Sequence, residues 1–319
     1  KYWGGYAWRG SPAYMAQWLE MILCLGGHPM PADVGAVPAY YEIPSDSLPL
    51  TFKMLFASGG FSDGGRSPNS NSPWLRRFCE RIKLRVTYAK AMGAPVDYWE
   101  IWNEPVIGPE HLAVWDAAYD AIRSADPEAK IVGPSYGTAN PEMIEPFFAH
   151  CKEKGQRLDI LSWHEITQGA AVGKSETLVA PDKAYRNIEA IRNLVDSKYP
   201  MLGVQEIHID EWGYNVRNTG PGTQIAYFYY MDLAGVHRAA KALWTAYDLG
   251  GILIARLVGL QGENAPSVMS RRIYRYEYIP RTSYWAWVEY AKQEGGVRLA
   301  TETDDRCVVM LASRDDEAR

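Results

Sequence analysis

Tyr98-Trp99-Glu100-Ile101-Trp102-Asn103-Glu104-Pro105 is the stretch on which the fold turns. An apolar, aromatic-rich run with period-two alternation reads as a strand, and the Glu-Pro step ends it, because proline offers no N–H and restricts the residue before it. Glu104 is therefore expected at the C-terminal rim of a strand, with Glu100, Trp102 and Glu104 on one side. A second carboxylate stands in matching context in Glu206-Ile207-His208-Ile209-Asp210-Glu211-Trp212-Gly213, 107 positions after Glu104. That gap equals about three βα units of roughly 30 to 40 residues, so Glu104 and Glu211 can face one axial pocket at the rim where parallel barrels keep their active sites.

Working outward, short apolar runs alternate with longer amphipathic stretches from about residue 14 to 291. The periodicity predicts helices at 14–25, 74–92, 111–124, 142–154, 181–197, 223–240 and 282–293. Strands are expected at 28–37, 96–102, 130–134, 158–163, 204–210 and 242–247. This is the pattern of an α/β protein with a parallel sheet, and the spacing favours a (β/α)8 TIM barrel. No G-x-G-x-x-G follows a strand and no G-x-x-x-x-G-K is present, so a doubly wound nucleotide-binding sheet is disfavoured. If 96–102 is the fourth strand, the first two barrel strands have no place in residues 1–13, and this chain is expected to lack them. Residues 1–293 read as the barrel domain and 294–319 as the beginning of an accessory β-strand region. The turn-rich segment 43–73 reads as a loop shaping one side of a cleft or as a mobile tip.

With 33 Lys+Arg against 38 Asp+Glu and a net charge of −5, the chain lacks the basic surplus of a nucleic-acid binder. No apolar run is long enough to span a membrane. Cys24, Cys79, Cys151 and Cys307 have neither zinc-site nor disulfide-framework spacing and read as free thiols. The 12 Trp and 21 Tyr, against 7 Phe, suit either ordinary packing or a cleft in which flat ligands stack. The chain opens on Lys1 with no charged-then-apolar leader, so a signal peptide is absent or removed. The compartment stays open, with a secreted or periplasmic location preferred to a cytoplasmic one.

Two carboxyls across one pocket meet the requirement of glycoside hydrolysis, in which one protonates the leaving oxygen while the other attacks the anomeric carbon or activates water. For Glu104 and Glu211 this outweighs a salt-bridge role, since each follows an apolar strand and each is flanked by Trp. Glu100 and Glu206, upstream of them, read as structural or ion-paired. Were Glu211 the ionised one of the two, its charge would raise the pKa of Glu104 and keep it protonated.

The stretch WEIWNEP with IDEW downstream resembles the (β/α)8 retaining glycosidases, and most of all glycoside hydrolase family 39, the β-xylosidase and α-L-iduronidase family. Ala242-Leu243-Trp244-Thr245-Ala246-Tyr247-Asp248 and Tyr284-Trp285-Ala286-Trp287 resemble its eighth strand and terminal helix. The resemblance implies Glu104 as acid/base, Glu211 as nucleophile and Asn103 as the group that hydrogen-bonds the sugar 2-hydroxyl. It also implies His164 beside the nucleophile and Trp244 under the −1 sugar. Trp102 and Trp212 wall the pocket or pack the rim, and His28 reaches the site from its strand. Where the family has Asn after the Glu-Trp pair this chain has Gly213-Tyr214-Asn215.

The implied activity is β-xylosidase-like retaining hydrolysis of an oligosaccharide or polysaccharide, without metal or cofactor; oligomeric state is not legible. Arabinofuranosides, β-glucosides or an exopolysaccharide are alternative substrates of the same clan. A non-catalytic carbohydrate-binding barrel is a further alternative. A metal-dependent hydrolase using His28, His164, His208 and Asp210 lacks the H-x-H and H-E-x-x-H spacings.

Overall fold

The computed structural model describes residues 75–76, 78–80, 82–83, 86–87, 98–101, 104–165, 181–212, 220–241, 248–249, 252–261, 273–293, 296–304, 308 and 310–314. Within them a five-stranded parallel sheet runs in chain order, β1 (Tyr98–Glu100), β2 (Lys130–Tyr136), β3 (Ile160–Glu165), β4 (Glu206–Trp212) and β5 (Arg238–Lys241). Between consecutive strands lie α1 (Pro109–Ala125), α2 (Pro141–Glu153), α3 (Pro181–Lys198) and α4 (Pro221–Leu233). Four βα units in sequential order form a partial (β/α) barrel. The described residues between 75 and 87 are helical and bury Leu75, Phe78, Ile82 and Val86. Expected elements at 14–25, 28–37 and 242–247 lie outside the described residues, as does the 43–73 segment. No helix among the described residues is long and apolar enough to cross a membrane.

All four crossover helices open on proline, where the missing N–H would have had no helical partner. The Asn140 side chain caps α2 by accepting from the Met143 N–H. In α1 the buried residues His111, Val114, Trp115, Ala118, Ala121 and Ile122 recur every three or four positions, the stripe that an amphipathic helix turns to a sheet. Trp115 lies so close to Gly133 of β2 that a Cβ there would meet its ring at 2.3 Å.

The helix expected to run to residue 240 instead ends at Leu233, and the strand expected at 242–247 is preceded by β5. Gly235, with φ 66, makes the turn, and the Val236 N–H closes it on the Met231 carbonyl. The apolar residues beyond Gly235 had continued the helical count past a glycine that terminates it. An antiparallel sheet of β6 (Asp248–Leu249), β7 (Leu253–Gln261) and β8 (Ile273–Pro280) was not anticipated. It is followed by α5 (Thr282–Ala291), close to its expected bounds. A two-stranded pair, β9 (Val297–Leu299) with β10 (Ala312–Arg314), occupies the region expected to turn β-like.

The two faces of the parallel sheet differ in chemistry. Ile131, Leu161, Trp163, Ile207 and Ile209 join the helix-covered hydrophobic core. The opposite face alternates with them: Tyr98, Val132 and Ile160 form a small apolar cluster there, and its polar groups lie in three layers. At the strand starts the Tyr98 hydroxyl donates to Glu206, which also holds His208 at 2.8 Å and Arg238 at 3.3 Å. Midway, the Ser135 hydroxyl contacts Glu100 and lies 2.7 Å from Asp210. At the strand ends stand Glu104, His164 and Glu211.

Candidate active site

Two register shifts build the upper layer. Along β4, strict alternation would send Glu206, His208, Asp210 and Trp212 to the axis and Glu211 to the helices. The pairing instead moves from Trp163↔Ile209 to His164↔Glu211, leaving Asp210 as an extra residue. Beyond this bulge the sides exchange, so that Glu211 reaches His164 and Trp212 turns outward. Trp212 is 0% exposed, stacks on Trp287 at 6.0 Å and 8°, and touches Tyr227 and Phe228. Trp212 is thus part of the hydrophobic core on the helix side of the sheet.

A second shift lies in β2, where Ser135 is the extra residue between Pro134 and Tyr136 and has φ 56. Glu104 also has a left-handed backbone, with φ 48. Its N–H donates to the Ser135 carbonyl at 2.9 Å. Two adjacent non-glycine residues in this sparsely populated region are strained, the kind of cost that folds retain at functional sites. Gly137 leaves room for the result: a Cβ at this position would lie 2.7 Å from Glu104 Oε1.

His164 joins the two acids. Its Nδ1 lies 3.2 Å from Glu104 Oε1 and 3.7 Å from Glu211 Oε2, so its one Nδ1–H donates to Glu104. A nitrogen of His164 and one oxygen from each carboxyl fall within 4.8 Å of one another. The Glu104 side chain is 46% exposed while that of Glu211 is 1% exposed. One acid thus opens toward solvent and the other sits on the floor.

The electrostatics run opposite to the sequence expectation. The hydrogen bond from His164 is the main force holding the Glu104 carboxyl below its ordinary value, against the opposing effect of partial burial. Burial, then the charges of Glu104 and Asp210, push Glu211 up to about 9. Neither Glu211 oxygen has a hydrogen-bond partner among the described residues, so nothing there offsets its desolvation. Both shifts act in one direction, favouring a proton on Glu211 over one on Glu104 in the free site. Expecting a raised Glu104 had considered the like charge and missed both the imidazole and the unequal burial.

Glu100 and Glu206 play the roles expected of them. Glu206 is ion-paired and held at about 2, chiefly by the His208 hydrogen bond. Glu100 is buried against Ser135 and Asp210 and raised well above its ordinary value, first by burial and then by Asp210. Sequence reasoning missed Ser135 and Gly137, although Gly133-Pro134-Ser135-Tyr136-Gly137 at a strand end carried a turn signal. It also passed over Glu165, which receives the Trp163 and Asn187 N–H groups at 2.7 Å each and is raised by burial to about 7. His28, Trp102, Asn103 and Trp244 lie outside the described residues. The Glu104–His164–Glu211 trio offers one nitrogen and two carboxylates, a donor set that suits a divalent cation as well as acid–base chemistry.

The fold and its rim define the class: a (β/α)-barrel with two acids facing each other at the C-terminal ends of β1 and β4. Residues 93–230 match the model of glycosyl hydrolases family 39, a span that contains Glu104, His164 and Glu211. A β-xylosidase of Geobacillus stearothermophilus is 25% identical over 130 residues, covering 36% of this chain and 25% of that protein. The aligned part is thus about a quarter of that relative's length. Among solved structures, N2152 from Neocallimastix frontalis superposes with a TM-score of 0.50 and 20% identity, over 78% of this chain and 55% of the other. A psychrophilic family 10 endo-β-1,4-xylanase also gives 0.50, at 14% identity over 77% and 87% of the two chains. Both likenesses concern the fold.

Proposed function

We propose that the chain forms the catalytic centre of a retaining β-glycosidase, with Glu104 as acid/base, Glu211 as nucleophile and a β-xyloside as substrate. The observation that carries this reading is the pair of carboxyls brought within 4.8 Å, oxygen to oxygen, around His164. That approach of one oxygen from each acid supports double displacement, in which the carboxyl groups stand about 5 to 5.5 Å apart, over inversion, which sets them roughly 6.5 to 9.5 Å apart. The family 39 match and the β-xylosidase relative favour the xyloside.

In the first step ionised Glu211 attacks the anomeric carbon while protonated Glu104 gives its proton to the departing oxygen. In the second, Glu104 takes a proton from water, the water oxygen attacks the same carbon, and Glu211 leaves as a carboxylate. Retention follows from two inversions. The free site holds its proton on the wrong partner for this sequence, and a bound sugar supplies the remedy: its hydroxyls donate to the orphan Glu211 oxygens, which lowers that acid and sends the proton to Glu104. Substrate binding and charge arrangement are thereby linked.

The test is hydrolysis of aryl β-D-xyloside, α-L-arabinofuranoside and β-D-glucoside by the wild type, Glu104→Ala and Glu211→Ala, with added azide. Retained glycosyl azide from Glu104→Ala and inverted azide from Glu211→Ala are expected. The opposite stereochemistry would exchange the roles, and an inverted product from the wild type would overturn the mechanism.

A further inference from the structure

The middle polar layer has no part in the chemistry above, yet it adjoins both reacting acids: the Ser135 carbonyl accepts the Glu104 N–H, and Asp210 precedes Glu211 in the chain. Ser135 Oγ meets Glu100 Oε1 from β1 and Asp210 Oδ2 from β4, the latter at 2.7 Å. β2 and β4 are not neighbours in the sheet, so the Ser135–Asp210 contact reaches across β3 on the interior face. Glu100, Ser135 and Asp210 are each no more than 2% exposed. A hydroxyl has one hydrogen and can donate to only one of its two carboxyl partners. The other oxygen–oxygen contact needs a hydrogen from a carboxyl, and Glu100, raised well above its ordinary value first by burial and then by Asp210, is the acid placed to supply it.

Ser135 is also the bulged, left-handed residue of β2, and its carbonyl receives the Glu104 N–H. Asp210 is the bulged residue of β4, next in the chain to Glu211. One short side chain therefore links the two irregularities that aim Glu104 and Glu211. Resting on the reading of Glu104 as acid/base, we propose that Ser135 is a positioning residue. It is clamped by the Glu100–Asp210 pair and sets the distance of the Glu104 carboxyl from the floor acid. Without the clamp, the strained backbone at Ser135 and Glu104 has no reason to keep its φ values, and the Glu104 carboxyl drifts from the leaving-group oxygen while Glu211 stays in its strand.

General-acid catalysis matters most when the leaving group is poor, so misplacement of Glu104 has a signature that general loosening lacks. The experiment is kcat/KM of the full chain on aryl β-D-xylosides whose leaving groups range from 2,4-dinitrophenol to phenol. The wild type, Ser135→Ala, Glu100→Ala, Glu100→Gln and Glu104→Ala are compared. Ser135→Ala should lose roughly 10- to 100-fold on the phenyl substrate and under about threefold on the dinitrophenyl one. Glu100→Ala should show the same steepened dependence. Glu100→Gln, whose amide donates as the protonated acid does, should restore most of the loss on phenyl xyloside.

Equal losses on all leaving groups, or no loss, would overturn the proposal. Ser135→Gly, which loses the clamp and leaves the backbone free to depart from φ 56, replaces Ser135→Ala if the latter fails to fold, with the same expectation. The Glu104→Ala series keeps the underlying reading separate. A leaving-group dependence no steeper than wild type there would refute the acid/base role itself, and the positioning role with it.

Discussion

His164 Nδ1 stands 3.2 Å from Glu104 Oε1 and 3.7 Å from Glu211 Oε2, a single ring atom within reach of both acids of the rim. Its ring is buried, and its Nε2 has no partner among the described residues. The imidazole is held by β3, between the strands that carry Ser135 and Glu211, so its place is set by the sheet and not by a loop. It lowers Glu104 directly and so favours a proton on Glu211 over one on Glu104.

Replacing His164 with Phe should therefore raise Glu104 and move the alkaline limb of kcat/KM against pH upward. A fall in kcat of roughly 10-fold should accompany it as Glu104 loses its aim. An unmoved or lowered limb would show that the hydrogen bond does not control Glu104.

Glu211 imposes a cost on the fold. Its carboxyl, ordinarily 4.5, is raised to about 9, so the folded state binds its proton more tightly than the unfolded chain. Such a group contributes stability fully below about 4.5, and the contribution is lost as pH climbs from there through about 9. Glu211→Gln should then be more stable than wild type by on the order of 1 to 3 kcal/mol at neutral pH, with the gap widening from pH 5 to 8. Thermal unfolding across that range measures it. A constant gap would mean that Glu211 is ionised at little cost.

Much of this arrangement was legible before any coordinates. Periodicity located the four crossover helices and the strands between them, because an amphipathic stripe and an apolar run are written directly in residue order. Glu104 and Glu211 were legible for a related reason, as carboxylates just where strand patterns stop. The bulges were not. Nothing in Ile209-Asp210-Glu211-Trp212 announces that the alternation slips by one residue, yet the slip decides that Glu211 faces the axis and Trp212 the core. The same holds for Ser135 on β2. The direction of the pKa shifts was hidden too, since it depends on unequal burial and a third residue, His164, about midway between the two acids in the chain. Gly235 shows the ordinary failure: apolar residues on both sides prolonged a helix that a left-handed glycine ends.

Glu165 offers a test of buried charge outside the reacting pair. With its acid raised by burial to about 7, its stabilising contribution is present below about 4.5 and is lost as pH rises through about 7. Glu165→Gln keeps an oxygen to accept from the Trp163 and Asn187 N–H groups, so it should flatten this part of the stability profile between pH 5 and 7.5. A variant whose unfolding curve follows the wild type across that interval would place the Glu165 titration elsewhere.

Two glycines of one strand and its exit separate stability from function. Gly133 faces the helix layer, where a Cβ would meet Trp115 at 2.3 Å; Gly137 faces the rim, where a Cβ would meet Glu104 Oε1 at 2.7 Å. Trp115 is locked in the core by its Nε1–H bond to Gln156 and by Phe147, so it has nowhere to retreat. Gly133→Ala should destabilise by about 1 to 3 kcal/mol, the usual cost of overpacking, while the molecules that remain folded keep their kcat/KM. Gly137→Ala meets the far end of a half-exposed side chain, which swings aside at little cost to the fold. The displaced group is the proposed acid, so kcat/KM on phenyl β-D-xyloside should fall by roughly 100-fold with an almost unchanged melting temperature. Measuring both quantities on both variants decides the matter: parallel losses of stability and activity in each would mean that the rim is only an extension of the core, whereas the crossed pattern is what a strand with one structural face and one reactive end requires.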